Sequence, residues 1–267
     1  MGEGSQDSVS VALAGSGGSG VMTAGTMLLA AAARAGYYGM MVRTSGPQIR
    51  GGEAAALLRF AAHPVDGLDD TFHALVALDW GNVQRFVDEI PLSASSLVVG
   101  EEAEGEAPAG FLASGARPAA VPFRKTAKAL AGAWPNMVAL GFIGELVGLP
   151  AEAVQAAARE ALKKADAVEG TRAAVAAGVS MASVLGVRFA LPPAPPRAGA
   201  RWLVSGNEAA GFGAIRGGVR FVAAYPITPA TEMLEWMAPA LARVGGSLVQ
   251  AEDELASVNM IVGASYG

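Results

Sequence analysis

Two short runs toward the C-terminal end of the chain carry groups able to handle an oxyanion and a proton. The first is YPITPAT, Tyr225 to Thr231. Pro226 and Pro229 restrict the backbone of a loop expected to leave a buried strand, and Pro229 suits a first helical turn, where a missing amide costs little. Thr228, between Ile227 and Pro229, is then expected at a helix start. There its hydroxyl and the neighbouring amides can donate to a carboxylate or ketone oxygen, a fixed-dipole arrangement that stabilises developing negative charge. The ordinary alternative is a helix cap, worth about 1 kcal/mol. One residue can do both. The second run is QAEDE, Gln250 to Glu254, which sets Glu252, Asp253 and Glu254 just after an expected strand. Acids at a helix start ordinarily complement its dipole and stay solvated. A carboxyl in a dry pocket instead has its pKa raised and can hold a proton.

A third constellation lies near the other end. Gly15, Gly17 and Gly20 of GSGGSG satisfy GxGxxG, which lets backbone pass close to a phosphate while the following helix offers unpaired amides. A turn needed only for close packing would use the same glycines. A dinucleotide fold also wants an acidic residue ending the second strand, whereas this chain reads MMVRTSGPQ there, with Arg43 the nearest charge. In TSGPQIRGGE, Arg50 can clamp a phosphate or, equally, hold an ordered loop by an ion pair or carbonyl contact. His63 and His73 are the only histidines, and no Ser/His/Asp arrangement is evident. Asp79, after HALVAL, sits at a strand end where α/β folds place ligands, or caps the turn at Gly81.

The elements that must position these groups read as an α/β layer fold. Strands are expected at Ser8 to Ala14, Tyr38 to Arg43, Ala54 to Phe60, Ala74 to Leu78 and Leu97 to Val99, with a helix over Val21 to Ala35 that stops at Gly36. A short helical stretch follows Gly81. From Lys125 to about Leu185 the chain is Ala-rich and helical, with breaks expected at Trp134-Pro135, at Gly148 to Pro150 and around Glu169-Gly170. The proline-rich LPPAPPRAGA then marks a semi-rigid connector. Residues 1–188, 189–200 and 201–267 are accordingly expected to be a first domain, a linker and the start of a second. In the second, strands are expected at Trp202 to Val204, Arg220 to Ala224 and Ser247 to Gln250. Helices are expected over about Asn207 to Arg216, after Pro229 and from Glu254.

Composition narrows the functional classes. The chain has 267 residues, 52% hydrophobic and 16% charged, with a net charge of -5, so a nucleic-acid footprint is not expected. Apolar runs such as Met27 to Ala33 fall far short of the roughly 18 to 20 residues that span a bilayer. The start MGEGSQDS has no signal-peptide pattern, and a cytoplasmic location is expected. With no cysteine, the chain cannot supply a thiolate zinc site or the thiolates of an iron–sulfur cluster.

These motifs together resemble the 2-oxoacid:ferredoxin oxidoreductases. The glycine turn with SGPQIRGG, and LGFIGELVGLP at Leu140 to Pro150, resemble the family's gamma domain from Val9 to about Val184. Ser19 departs from the glutamine common in the family's GxGGQG turn. GNEAAGFGAIRGGVRFVAAYPITPATE, Gly206 to Glu232, resembles the start of the alpha subunit's thiamine-pyrimidine-binding domain. The gamma-before-alpha order resembles the 2-oxoglutarate type. The resemblance implies an α/β fold in which a gamma domain, with mixed sheet and helical flank, precedes the start of a doubly wound pyrimidine-binding domain.

It further implies oxidative decarboxylation of a 2-oxoacid, with thiamine diphosphate as cofactor, coenzyme A taking the acyl group and ferredoxin the electrons. Thr228 would contact the oxoacid. Tyr225, Pro226, Ile227, Pro229 and Glu252 would line the thiamine and substrate side. Glu254, with Glu252 as runner-up, would give a neutral acid to the pyrimidine ring nitrogen, the bond that promotes removal of the thiazolium proton. Gly17, Gly18, Ser19, Gly20 and Arg50 would lie on the coenzyme A side. No GDGD-type motif for diphosphate and magnesium occurs here, so a beta subunit would carry the magnesium, the diphosphate and an iron–sulfur cluster, in an (alpha-beta)2 assembly. Relative to the family pattern the chain is expected to be truncated after GASYG. The alternatives are the same chemistry on pyruvate or another 2-oxoacid, a non-catalytic coenzyme A or nucleotide-binding module, or a structural fragment pairing with the rest of an alpha subunit.

Overall fold

A computed structural model describes residues 7–46, 52–162, 165–196, 199 and 201–267 of the chain. Arg50 lies outside the described residues. The chain divides into two compact units, Met1–Gly199 and Ala200–Gly267.

The first unit runs β1 (Ser8–Ser16), α1 (Val21–Ala35), β2 (Tyr38–Ser45), β3 (Glu53–Ala61), β4 (Ala74–Ala77), β5 (Leu97–Glu101), α2 (Ala109–Leu112), β6 (Arg117–Val121), α3 (Phe123–Lys128), α4 (Pro135–Leu146), α5 (Ala151–Ala161) and α6 (Ala165–Leu185). Its strands form one mixed sheet in the order β2-β3-β1-β4-β5-β6. β3 is antiparallel to both β2 and β1, while β1, β4, β5 and β6 run parallel. β1 is therefore central and buried on both faces, as the nearly continuous apolar run SVSVALAGS requires. Val9, Val11 and Leu13 pack toward α1 and α4 among Leu28, Phe123 and Phe142, while Ala12 and Ala14 face Phe72, Phe86 and Phe111. Phe123 and Phe142 meet edge to face with centroids 5.5 Å apart, a geometry worth about 0.5–1.5 kcal/mol beyond burial.

The structure departs from the sequence reading at three elements. β6 was not expected, because Pro118 cannot donate to a ladder; it is tolerated because β6 is an edge strand. No helix break occurs at Glu169-Gly170, since α6 runs through it. Gly170 instead permits close packing: a Cβ there would lie 2.5 Å from the Gly132 carbonyl carbon. Trp202 to Val204 form no strand and are exposed. Within the proline-rich segment and its approach, Phe189 donates to Leu146 O at 2.7 Å, and Tyr37 Oη donates to Pro192 O at 2.9 Å.

At the N-terminal end of β1, Ser10, Asp69 and His73 come together without making a nucleophile. Ser10 is fully buried and its hydroxyl donates to Asp69 Oδ2 at 2.6 Å, while its backbone amide donates to His73 Nδ1 at 3.0 Å. Arg59 closes the cluster, 2.9 Å from Asp69. Burial holds His73 below the usual imidazole range, partly offset by the Asp69 carboxylate. The imidazolium could not keep the Ser10 bond, since both its nitrogens carry protons. Because the folded pKa is depressed, the unfolded chain takes up the proton first as pH falls. The contribution is full above an unfolded pKa of about 6.5 and is lost as pH falls from there through the folded value. His73→Asn keeps an acceptor and removes the titration. The melting temperature of the natural chain is expected to fall more steeply than the variant's between about pH 7 and 5.5, the window around that reference value; parallel curves would assign the acid sensitivity elsewhere.

The second unit runs α7 (Gly206–Arg216), β7 (Phe221–Ala224), α8 (Thr231–Arg243), β8 (Ser247–Gln250) and α9 (Glu254–Ala264). α7 opens with a capping box: Ser205 Oγ accepts from Glu208 N, and Glu208 returns a carboxylate to Ser205 N at 2.7 Å. β7 and β8 are parallel neighbours, with Ala224 opposite Gln250.

Candidate functional site

The parallel register of β7 and β8 decides where the two C-terminal motifs go. With Ala224 beside Gln250, the chain leaves both strands at the same end, so YPITP and AEDE begin side by side. Ala251 N donates to Ala224 O at 3.0 Å and ties the two exits together. The C-terminal ends of adjacent parallel strands are where open α/β sheets bind ligands. Asn207, at the start of α7, steadies the first loop by donating to Pro229 O at 3.1 Å and to Glu232 Oε2 at 3.3 Å.

Local geometry changes several expected roles. α8 begins at Thr231 with Ala230 as its cap residue and no side-chain cap, so Thr228 does not cap the helix and Pro229 is not in its first turn. The turn is closed by Thr231 N donating to Ile227 O at 3.1 Å. Tyr225, Ile227, Thr228 and Pro229 are exposed and Pro226 half-buried. The Thr228 hydroxyl makes no hydrogen bond among the described residues, which leaves it free to donate. In the acidic run, Asp253 is the N-cap and accepts from Ala256 N at 2.7 Å, while Glu254 is the first helical residue. Glu252 and Glu254 are exposed. The dry pocket that a proton-holding carboxyl requires is thus not built by this unit alone, and any group that desolvates Glu254 must come from outside it.

The glycine turn forms a second, separate site in the first unit. Gly18 and Gly20 have φ of 95° and 86°, in the left-handed region where a side chain is strained. A Cβ on Gly20 would also lie 2.1 Å from Asn136 Nδ2. Gly17 N donates to Gly52 O, Ser19 N and Oγ both donate to Ser16 O, and Asn136 Nδ2 donates to Gly20 O at 3.3 Å. Asp79 anchors the turn from β4: its carboxylate accepts from Ser16 N, from Ser16 Oγ at 2.8 Å and from Gly81 N at 3.1 Å. It thus fulfils the cap onto Gly81 and, beyond that, joins the β1 and β4 exits.

The amides of Gly18, Gly20, Val21, Met22 and Thr23 find no acceptor among the described residues. Of these residues Gly18, Gly20 and Thr23 line a cavity of about 620 Å³ whose walls also include Met27, Leu78, Asp79, Arg124, Trp134, Asn136 and Thr171. Free amides at the start of a 15-residue helix make an anion cradle. Nearby, Glu53 is buried against Arg85 at 3.0 Å; hydrogen bonds from its own amide and from Arg85 hold its carboxyl below the usual range. Sequence reasoning missed Arg124, Trp134, Asn136 and Thr171. Trp134-Pro135 was legible only as a helix break, and nothing local signals that Asn136 meets Gly20.

Fold and sites define the class: an α/β chain with a phosphate-type glycine turn in one unit and paired strand-end loops in the other. The family model for pyruvate ferredoxin/flavodoxin oxidoreductase matches residues 10–181, and the chain belongs to that family. The model for the family's thiamine diphosphate-binding domain matches residues 212–267. The chain is 52% identical over 64 residues to the 2-oxoglutarate synthase subunit KorA of Methanocaldococcus jannaschii, covering 24% of this chain and 18% of that protein. Among solved structures it is similar to 2-oxoglutarate:ferredoxin oxidoreductase from Magnetococcus marinus, described with 2-oxoglutarate, coenzyme A and succinyl-CoA bound. That similarity has 30% identity and a TM-score of 0.80, over 98% of this chain and 46% of that one. A keto/oxoacid ferredoxin oxidoreductase gamma subunit from Geobacter sulfurreducens shares the fold, with a TM-score of 0.55 at 23% identity over 67% of this chain and 98% of that one. The chain therefore spans less than half the length of the solved relative that it matches throughout.

Proposed function

We propose that the chain is a subunit of a thiamine-diphosphate-dependent 2-oxoglutarate:ferredoxin oxidoreductase. Residues 1–188 serve as the coenzyme A-proximal gamma domain, 189–200 as linker and 201–267 as the first part of the pyrimidine-binding domain. The observation that carries this reading is the emergence of YPITP and AEDE from adjacent parallel strands at one end. That arrangement brings the loops bearing the Thr228 hydroxyl and the Glu254 carboxyl out at the same end of the sheet, which supports a role for both in cleavage of a 2-oxoacid.

Thiamine diphosphate, when bound, supplies the nucleophilic carbon that accepts the oxoacid and stabilises the electron pair left by carbon dioxide. The residues here fit its pyrimidine end: a carboxyl to face a ring nitrogen, and an apolar, proline-bounded loop beside it. Glu254 holds the proton at that nitrogen, and Thr228 donates to the carboxylate or ketone oxygen of the substrate, with Tyr225, Pro226, Ile227, Pro229 and Glu252 shaping the wall. In the first unit, Gly17, Gly18, Ser19 and Gly20, with Arg50, receive the diphosphate of coenzyme A. No group of three or more metal-ligating side chains occurs among the described residues, and the chain has no cysteine. In this reading a beta subunit brings the magnesium and the iron–sulfur cluster, in an (alpha-beta)2 assembly that delivers electrons to ferredoxin. A cytoplasmic location is part of this proposal; no described helix is long and apolar enough to cross a membrane.

Coenzyme A-dependent ferredoxin reduction by the chain together with its partner subunit tests the substrate. 2-Oxoglutarate is expected to exceed pyruvate and 2-oxoisovalerate in kcat/KM by about tenfold or more, the scale on which a pocket separates such side chains. Preference for pyruvate would replace the 2-oxoglutarate reading while leaving the reaction class standing.

A further inference from the structure

We infer that Asn207 is a positioning residue for the Thr228 hydroxyl, and that α7 is the rigid backing from which it acts. The role rests on the proposed contact of Thr228 with the oxoacid and adds to it what holds that hydroxyl in place.

The YPITP loop has little of its own to fix it. Tyr225, Ile227, Thr228 and Pro229 are exposed, and α8 has no side-chain cap. The backbone bond that closes the turn, from Thr231 N to Ile227 O, bypasses Thr228 itself. Asn207 supplies the restraint. Its Nδ2 donates to Pro229 O at 3.1 Å and to Glu232 Oε2 at 3.3 Å. Both partners are acceptors, so the amide must face them with its nitrogen, and each of its two N–H groups has a place to go. The ring of Pro229 locks its φ and the peptide bond before it is planar, so pinning the Pro229 carbonyl leaves the Thr228 backbone little freedom. The bond to Glu232, in the first turn of α8, ties the same amide to the far end of the loop.

Asn207 is itself well held. The capping box of Ser205 and Glu208 fixes the backbone on either side of it. An asparagine at a helix start ordinarily serves as the cap, but Ser205 fills that place here and leaves the Asn207 amide for the loop. One turn further along α7, Gly211 is buried, and a Cβ there would lie 2.8 Å from Met237 Cγ and 3.0 Å from Trp236 Cε3 of α8. Residues one turn apart share a helix face, so the glycine that lets the two helices close also turns Asn207 toward the start of α8.

The test uses the full chain with its partner subunit. It follows kcat/KM for 2-oxoglutarate, hydrogen–deuterium exchange at the thiazolium carbon without substrate, and the melting temperature. Thr228→Val should lower kcat/KM by about tenfold to a hundredfold, as loss of a hydrogen bond to a charged group does. Asn207→Ala should lower it by about tenfold, within the range for a displaced positioning group. Thiazolium exchange depends on the other loop and should stay as in the natural enzyme. The Asn207→Ala/Thr228→Val double variant should be no worse than Thr228→Val alone, because once the hydroxyl is gone its placement no longer matters. Asn207→Asp sets a carboxylate against two acceptors and should cost more than Asn207→Ala. Losses that multiply in the double variant would show that Asn207 does not act through Thr228, and would overturn the inference while leaving the Thr228 contact standing. So would exchange and melting temperature falling in step with turnover in Asn207→Ala, the mark of a general disturbance. Thr228→Val with the natural kcat/KM would overturn the contact itself, and the role of Asn207 with it.

Discussion

Glu254→Gln is expected to abolish oxoacid turnover in the assembled enzyme while leaving coenzyme A binding as it was. Glutamine matches glutamate in shape and keeps the first position of α9, so the helix forfeits only a charge–dipole contribution of about 0.3–1 kcal/mol. What it cannot do is exchange a proton with a ring nitrogen. Positioned acid–base groups contribute on the order of 10² to 10⁴ in rate, and the loss should fall in that range. The direct measurement is hydrogen–deuterium exchange at the thiazolium carbon of bound thiamine diphosphate, which reports activation before any substrate adds. Exchange as fast as in the natural enzyme would remove Glu254 from the mechanism. Glu252→Gln discriminates between the two acids, since a neighbour that only lines the wall should slow exchange by less than about tenfold, below the range for a proton-transferring group. Because Glu254 is exposed in this chain, its carboxyl can be kept neutral only where another surface excludes water from it. Activation should therefore appear only in the assembly.

The fold was most legible where one local rule sufficed. α1 begins and ends as its composition indicates: a glycine turn precedes Val21, and Gly36 takes the left-handed cap with its amide on Ala33 O. β8 follows its apolar run to the residue. Legibility failed where tertiary packing reversed a local rule. Pro118 argues against a strand until the strand is known to be an edge, and Gly170 argues for a break until the carbonyl of Gly132 is found against it. Both residues are ordinary answers to constraints set by distant chain.

The sites divide along the same line. Each motif of the second unit is contiguous, so its identity was plain in sequence, but the meeting of the two depends on the register that places Ala224 beside Gln250. The cap expected of Thr228 failed because the chain spends Pro229 and Ala230 on a turn before α8 starts. In the first unit, the glycine turn was legible and its surroundings were not. Trp134, Asn136 and Thr171 reach the cavity from α4 and α6, more than 100 residues along the chain from Gly20. The helical flank, which composition presents as mere packing, supplies polar groups to the cavity wall.

That flank also holds the largest expected effect on stability. Gly141→Ala should destabilise the first unit by about 3 kcal/mol, at the upper end of the usual cost of overpacking. α4 is buried on nearly every face, and it meets α6 backbone to backbone. A Cβ on Gly141 would stand 2.0 Å from Val175 O, and one on Gly178 would stand 2.0 Å from Val138 O. Neither neighbour is the end of a flexible side chain, so the helices must separate, and Phe142 and Ile143 lose contacts with them. The gain in helix propensity on replacing glycine by alanine, about 1 kcal/mol, does not offset this. For a unit of this size the melting temperature should fall by about 6–12 °C, at roughly 2–4 °C per kcal/mol. Gly144 supplies the milder comparison within the same helix, since its added methyl would meet the Val154 side chain, with Cγ2 at 2.9 Å, rather than backbone. Gly144→Ala should therefore cost clearly less than Gly141→Ala. Gly213→Ala, in α7 with open space around it, should stabilise by nearly the full propensity gain. Equal melting temperatures for the Gly141 and Gly144 variants would mean that α4 and α6 do not meet as closely as their glycines require. The cavity would feel the same displacement, because Asn136 and Thr171 lie on these two helices: Gly141→Ala should weaken coenzyme A binding even at temperatures where the unit stays folded.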